Sequence, residues 1–207
     1  MSDDLQIFNC DQGSEEWHEC RRGIVTASRF ADVLAKGQGI TRRKYLYTLA
    51  GEVLTGECAE SFTNQHMERG HEMEADAINL YAFDRELDPI VVGFMRRGRA
   101  GCSPDRIVGT DGMVEVKSKL PHLQLEVLER GDLPPEHKAQ VQGQLWVSGR
   151  DWCDFVSYWP RLPLFVKRVE RDEKYIATLA QGVADFVGEL DALVAKYGTP
   201  IELENAA

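Results

Sequence analysis

No stretch of the chain is apolar over the roughly 18 residues that a membrane-spanning helix needs, so no membrane association is expected. The 207 residues open on the acidic Met1-Ser2-Asp3-Asp4, not on the basic and apolar segments of a secretory signal, so none is expected. The five cysteines (Cys10, Cys20, Cys58, Cys102 and Cys153) are odd in number and widely scattered. They form no CxxC pair and no Cys/His cluster, which excludes structural zinc and an iron–sulfur cluster and suggests reduced thiols in a cytoplasm. Repeats, low-complexity segments and an obvious linker are also missing. So is an excess of positive charge: the net value of −10 argues against a general nucleic-acid coat.

What charge there is of that sign is concentrated. Residues 17–47 hold seven arginines and lysines against Glu19 and Asp32, a local +5; Arg42 and Arg43 are candidates there for contact with a polyanion. Residues 92–108 hold Arg96, Arg97, Arg99 and Arg106 against Asp105, a local +3. A basic lining on an acidic body suits a protein that grips phosphate at one place and avoids it elsewhere. A solvated basic helix face is the ordinary alternative.

Apolar periodicity and caps give the organisation. Ser14 starts a short helix that Gly23 ends, and Ser28 is expected to cap a second over 29–36. Thr41 is expected to cap a longer helix, with Tyr45, Leu46, Leu49, Ala50, Val53 and Leu54 as its apolar set and Gly56 as its stop. A helix near 64–83 follows, then strands near 89–97, 100–108 and 112–118. Helices over 121–130 and 135–148, strands over 152–159 and 164–170, and a helix over 172–196 complete the order. It describes one α/β domain: a helical part about 14–83, a core about 89–170 with a mixed central sheet flanked by helices, and the last helix.

The chemistry centres on Pro104-Asp105 and Glu115-Val116-Lys117. In a strand over 112–118, Glu115 and Lys117 share one face and Val114 and Val116 the other. Gly109-Thr110-Asp111-Gly112 suits a hairpin turn, which would set Asp105 beside Glu115. Two converging carboxylates want a hard cation, usually Mg²⁺. Lys117 beside it could orient or deprotonate a water, or stabilise a developing phosphorane charge. Taken alone, such a string is more often a strand's wet face. Several other polar residues have an ordinary use and a possible role. Glu74 lies on an apolar helix side. Gln140 and Gln144 are one turn apart and could orient a water or a phosphate. Ser28 and Ser103 flank turns. Trp17, Trp146, Trp152 and Trp159 read as core or interface residues.

The chain resembles the λ-exonuclease and YqaJ-like viral recombinase group of PD-(D/E)xK nucleases, over roughly residues 13–197. The carriers, in order, are Trp17-x-x-x-Arg21-x-Gly23-x-x-Thr26-Ala27-Ser28, Gly70-x-x-x-Glu74-x-x-Ala77, Ser103-Pro104-Asp105, Glu115-Val116-Lys117, Ala139-Gln140-Val141-Gln142 and Glu170–Tyr175. The resemblance implies a restriction-endonuclease-like α/β core. It implies one metal on Asp105, Glu115 and the Val116 carbonyl and a second on Asp105 and Glu74, with Lys117 activating water and Gln140 placing it. Arg21, Ser28 and Ser103 match positions that hold a terminal 5′-phosphate. Met67 falls where the family has an apolar strand-splitting residue; His137 replaces a family tyrosine. The implied activity is Mg²⁺-dependent 5′→3′ digestion of linear double-stranded DNA to 5′-mononucleotides, leaving 3′ single strands for phage recombination, with Mn²⁺ also suited. The implied assembly is a ring-shaped homotrimer, and the implied partner a single-strand annealing protein, in the cytoplasm of a bacterial host. A DNA endonuclease on the same core, and a nuclease-dead DNA-binding or assembly protein, are the alternatives.

Overall fold

The computed structural model describes residues 4–35, 39–58 and 65–198, excepting the side chains of 65–72. Met67 is one of these, so the wedge expected of it lies outside the described residues.

The order among the described residues is strand β1 (Leu5–Phe8), helix α1 (Glu15–Arg21), strand β2 (Val25–Thr26), helices α2 (Phe30–Leu34), α3 (Ile40–Thr55) and α4 (Gln65–Arg85), then strands β3 (Phe94–Arg97), β4 (Ala100–Cys102), β5 (Arg106–Val108) and β6 (Gly112–Ser118). Helices α5 (Pro121–Arg130) and α6 (Pro135–Ser148), strands β7 (Trp152–Tyr158) and β8 (Phe165–Glu170), and helix α7 (Glu173–Tyr197) follow. This is a mixed α/β fold with mixed sheets. The expected single sheet is divided in two: β1-β3-β4-β2 and β5-β6-β7-β8.

The division falls inside the segment expected to be one strand over 100–108. Ser103-Pro104-Asp105 interrupts it, because Pro104 has no N–H to give a ladder. β4 therefore pairs in one sheet with β3, and β5 in the other with β6. The expected hairpin forms, with Gly109 at φ +53° and Arg106 opposite Val114. The next step of that register sets Asp105 across from Glu115. β6 then runs parallel to β7 through the crossover of α5 and α6, and β7 antiparallel to β8.

Two expected caps are not used. A turn of 3₁₀ helix over 27–29 precedes α2, whose cap position is Arg29 without a side-chain bond. α3 begins after Gly39, one residue ahead of Thr41. Ser14 does accept the Trp17 N–H at 3.2 Å, and Gly56 closes α3 in the left-handed region. On α3, Tyr45, Leu49 and Ala50 are buried as expected, whereas Val53 and Leu54 remain exposed.

The two faces of β6 position the site. Val114 and Val116 pack on Ala77, Ile78 and Tyr81 of α4. Met113 packs on Val141 and Leu145 of α6. Glu115 and Lys117 share the Met113 face, so they look toward α6. That helix is buried nearly all round, from Ala139 to Ser148. It packs tightly on α2, where a Cβ at Gly143 would stand 2.3 Å from the Phe30 ring. A helix so enclosed must satisfy its polar side chains internally. Gln142 does so by donating to the Glu170 carbonyl at 2.8 Å and accepting the Asp172 N–H at 2.8 Å. Gln144, one turn after Gln140, has Glu115 within reach.

Candidate active site

Glu115 is the centre of the site and is 2% exposed. Its Oε1 accepts from Lys117 Nζ at 2.6 Å and from Gln140 Nε2 at 2.5 Å. Its Oε2 accepts from Gln144 Nε2 at 2.6 Å. A carboxylate offers about four lone-pair positions; three are used by donors, and one on Oε2 remains. Asp105 is pinned separately, its Oδ2 accepting the Val116 N–H at 2.6 Å. Both acids are thus held in place, Asp105 by the backbone of β6 and Glu115 by side chains of β6 and α6.

The electrostatics follow from this crowding. Burial, then the neighbouring Glu115 and Glu74 carboxylates, push the Asp105 carboxyl well above its ordinary range. Burial works against the Lys117 charge, but Glu115, Asp105 and Glu74 more than offset it, so its ammonium is held above its usual value. In this arrangement Lys117 is a firm cation that donates and orients. Asp105, Glu115 and the backbone oxygens of β6 are hard donors suited to a divalent cation, and like charge held this close is what such an ion would relieve. Among the described residues no three His, Cys, Asp or Glu side chains converge as a ready metal cage. Glu74, expected to join Asp105, is instead bonded to Arg106 Nη1 at 3.2 Å.

Beside the carboxylates lies a cavity of about 190 Å³ that Gln140 and Gln144 share with Trp17, Arg21, Thr26, Ser28 and Ser103. The three residues expected to grip a terminal phosphate are therefore together, and they adjoin the acids through α6. Arg21 lies over the Trp17 ring, its guanidinium carbon 3.7 Å from the ring centre. Ser103 Oγ accepts from Trp17 Nε1 at 2.9 Å and from Arg21 Nη1 at 3.4 Å. Ser28 is exposed and meets Thr26 Oγ1 at 3.4 Å. A planar guanidinium with hydroxyls converging on it suits a phosphate group.

His137 also belongs here. Its ring stacks on Phe155, and its Nε2 accepts from Lys119 Nζ at 2.8 Å. Burial, then the charges of Lys119 and Lys117, lower its pKa to about 4. Arg42 stands apart: both its Nη atoms bond the Glu189 carboxylate, at 2.8 and 2.7 Å, tying α3 to α7. Arg43 is exposed on α3.

Three contributors have roles that the sequence does not single out. Trp17 reads as a core or interface residue, yet it supports both Arg21 and Ser103. Gln144 reads, with Gln140, as an amide that could orient a water or a phosphate; its Nε2 is given to the Glu115 carboxylate. Arg106 was one of four clustered arginines, and nothing in the string sets it apart.

The description of a YqaJ-like viral recombinase domain matches residues 16–151 of this chain. The chain belongs to this family. Among solved structures, it is similar to the alkaline exonuclease LHK-Exo from Laribacter hongkongensis, at 37% identity and a TM-score of 0.82, over 88% of this chain and 95% of that one. LHK-Exo in complex with dAMP gives the same identity and a TM-score of 0.83. A phage related exonuclease from Haemophilus somnus 129PT, 17% identical over 84% of this chain and 96% of its own, shares the fold with a TM-score of 0.63. The protein ExoD of Escherichia coli (strain K12) is 35% identical over 65 residues, 30% of this chain and 75% of that one. The YqaJ-like chain described here thus has the alkaline exonuclease fold and is a nuclease. Among its described residues, no helix is long and apolar enough to cross a membrane.

Proposed function

We propose that this family member is a cation-dependent exonuclease that digests linear double-stranded DNA from 5′-phosphorylated ends, 5′→3′, to 5′-mononucleotides. One observation carries the reading: the cavity formed by Arg21, Ser28 and Ser103 adjoins, through Gln140 and Gln144, the carboxylates on the hairpin. A site that grips a strand end and lies next to a site that cuts acts from ends.

Asp105, Glu115 and the Val116 carbonyl would hold one Mg²⁺ or Mn²⁺, and Asp105 with Glu74 a second, supplying Lewis-acid stabilisation of the attacking and leaving oxygens. The protein's own groups do the rest. Arg21, backed by Trp17, meets the terminal phosphate with Ser28 and Ser103. Gln140 orients the attacking water. Lys117 donates to that water or to the charge developing on phosphorus, and passes a proton only once its grip on Glu115 is relieved. Each cut exposes a new 5′-phosphate for the same cavity. Met67 as a wedge at the duplex end, and Arg42, Arg43 and His137 as DNA contacts, belong to this reading. So do a homotrimeric ring, a single-strand annealing partner for the 3′ strands, and a phage- or prophage-encoded enzyme in a bacterial cytoplasm.

The test is digestion with Mg²⁺ of linear duplex, with and without a 5′-phosphate, beside a closed circle. Loss of the phosphorylated linear form as mononucleotides is expected. Cutting of the circle would replace the reading with an endonuclease, and no cutting of any substrate with a binding or assembly protein.

A further inference from the structure

We propose that Arg106 is a tethered cation that competes with the second metal ion for Glu74. This rests on the cation-dependent reading above and refines it.

Arg106 begins β5, directly after Asp105. One of its nitrogens, Nη1, donates both to Glu74 Oε1 at 3.2 Å and to the Asp105 carbonyl at 2.5 Å. A single guanidinium thus joins α4 to the strand that carries a metal-holding acid, and it is mostly covered, with a fifth of its side chain exposed. Two of its neighbours in the basic segment, Arg97 and Arg99, are engaged elsewhere. Arg97 donates to the Val147 carbonyl, and Arg99 to Asp191 and the Gly23 carbonyl. Arg106 is turned to the Glu74 carboxylate.

Formal charge shows what this does. Glu74, Asp105 and Glu115 carry three negative charges, and Lys117 and Arg106 return two. One divalent cation on Asp105 and Glu115 leaves the cluster slightly positive. A second then meets a like charge at a carboxylate already engaged. Acidity offers no way out, because a guanidinium does not lose its proton in proteins. The side chain must swing away from Glu74 for a second cation to enter. The site is therefore built for one tight cation and one conditional cation. DNA phosphate, which can draw the guanidinium off Glu74, would favour the second. The enzyme then completes its metal set only with substrate in place.

The experiment is a Mn²⁺ titration of metal-free protein without DNA, followed by electron paramagnetic resonance. Wild type is expected to show one tight and one weak class. Removing the positive charge from Glu74, in Arg106→Met, should tighten the weak class about tenfold or more. Arg106→Gln is the second neutral variant, used if the first fails to give a wild-type circular dichroism spectrum. Arg106→Lys should stay near wild type, and Glu74→Gln should lose the weak class. Equal weak-class affinity in wild type and the neutral variants would overturn the proposal, as would two equally tight ions in wild type. Asp105→Asn separates this from the underlying reading. If it lost the tight class while the neutral Arg106 variants titrated like wild type, only the role of Arg106 would fall. If it bound Mn²⁺ like wild type, the cation assignment itself would fall.

Discussion

Gln144 donates to the Oε2 of Glu115 at 2.6 Å from within α6, and its own Oε1 is buried without a protein partner. The amide cannot turn round, since two acceptors would then face each other at bonding distance. Gln144 fixes the rotamer of the carboxylate and leaves one of its lone pairs available. A hydrogen bond to a charged group contributes roughly 1.5–3 kcal/mol. Gln144→Ala should therefore slow turnover about tenfold to a hundredfold while DNA affinity, read by gel shift, stays unchanged. Wild-type turnover in that variant would mean that Gln140 and Lys117 suffice to hold Glu115.

Trp17 gives Arg21 a ring to lie on and gives Ser103 a hydrogen bond, and the two gifts separate by mutation. Trp17→Phe keeps the ring and loses the N–H. It should retain most of the preference for 5′-phosphorylated duplex, whereas Arg21→Ala should erase it. The measurement is the ratio of digestion rates on phosphorylated and hydroxyl-ended DNA. A preference that survives Arg21→Ala would place the anchor elsewhere.

His137 makes stability depend on pH in a defined direction. Its folded pKa is about 4, below the ordinary value of 6.5. The unfolded chain therefore binds this proton more readily, and stability falls as pH drops from the ordinary value toward the folded one. The slope for one proton is at most about 1.4 kcal/mol per pH unit. Urea unfolding across that window should show wild type losing stability relative to His137→Gln as pH falls, the variant giving the flatter curve. Parallel curves would show that the imidazole is not held neutral.

Two glycines should respond oppositely to alanine. A Cβ at Gly143 would stand 2.3 Å from the Phe30 ring, and overpacking there should cost about 1–3 kcal/mol. Gly188, exposed on α7 with open space around it, should gain roughly 0.5–1 kcal/mol from the better helix former. Chemical denaturation of the two variants gives both numbers. A destabilised Gly188→Ala would point to a contact on that face.

Local signals explain what was readable. β6, α5 and α6 have the expected bounds because alternation and the prolines at 121 and 135 mark them. The hairpin placed Asp105 opposite Glu115 by register alone. Short strands did not show: β1 pairs with β3, and the two residues of β2 with β4, through partners roughly 75 to 90 positions away. No local pattern encodes such pairing. Nor does the composition of residues 92–108 separate Arg106, which reaches Glu74, from Arg99, which reaches Asp191; only the fold decides which arginine meets which acid. Trp17 carries no local sign of the contacts it makes, because an aromatic near a helix start reads equally as core or interface.

The break at Pro104 has a metrical consequence. Ser103 closes one sheet and Asp105 opens the approach to the other, so the anchoring hydroxyl and the metal-holding carboxylate stand two residues apart along one backbone. Two extended residues reach at most about 7 Å. On the proposed reading, a residue that helps hold a strand end and one that helps sever it are therefore joined by a short covalent tether, whose upper bound cannot be lengthened by movement of the two sheets against each other.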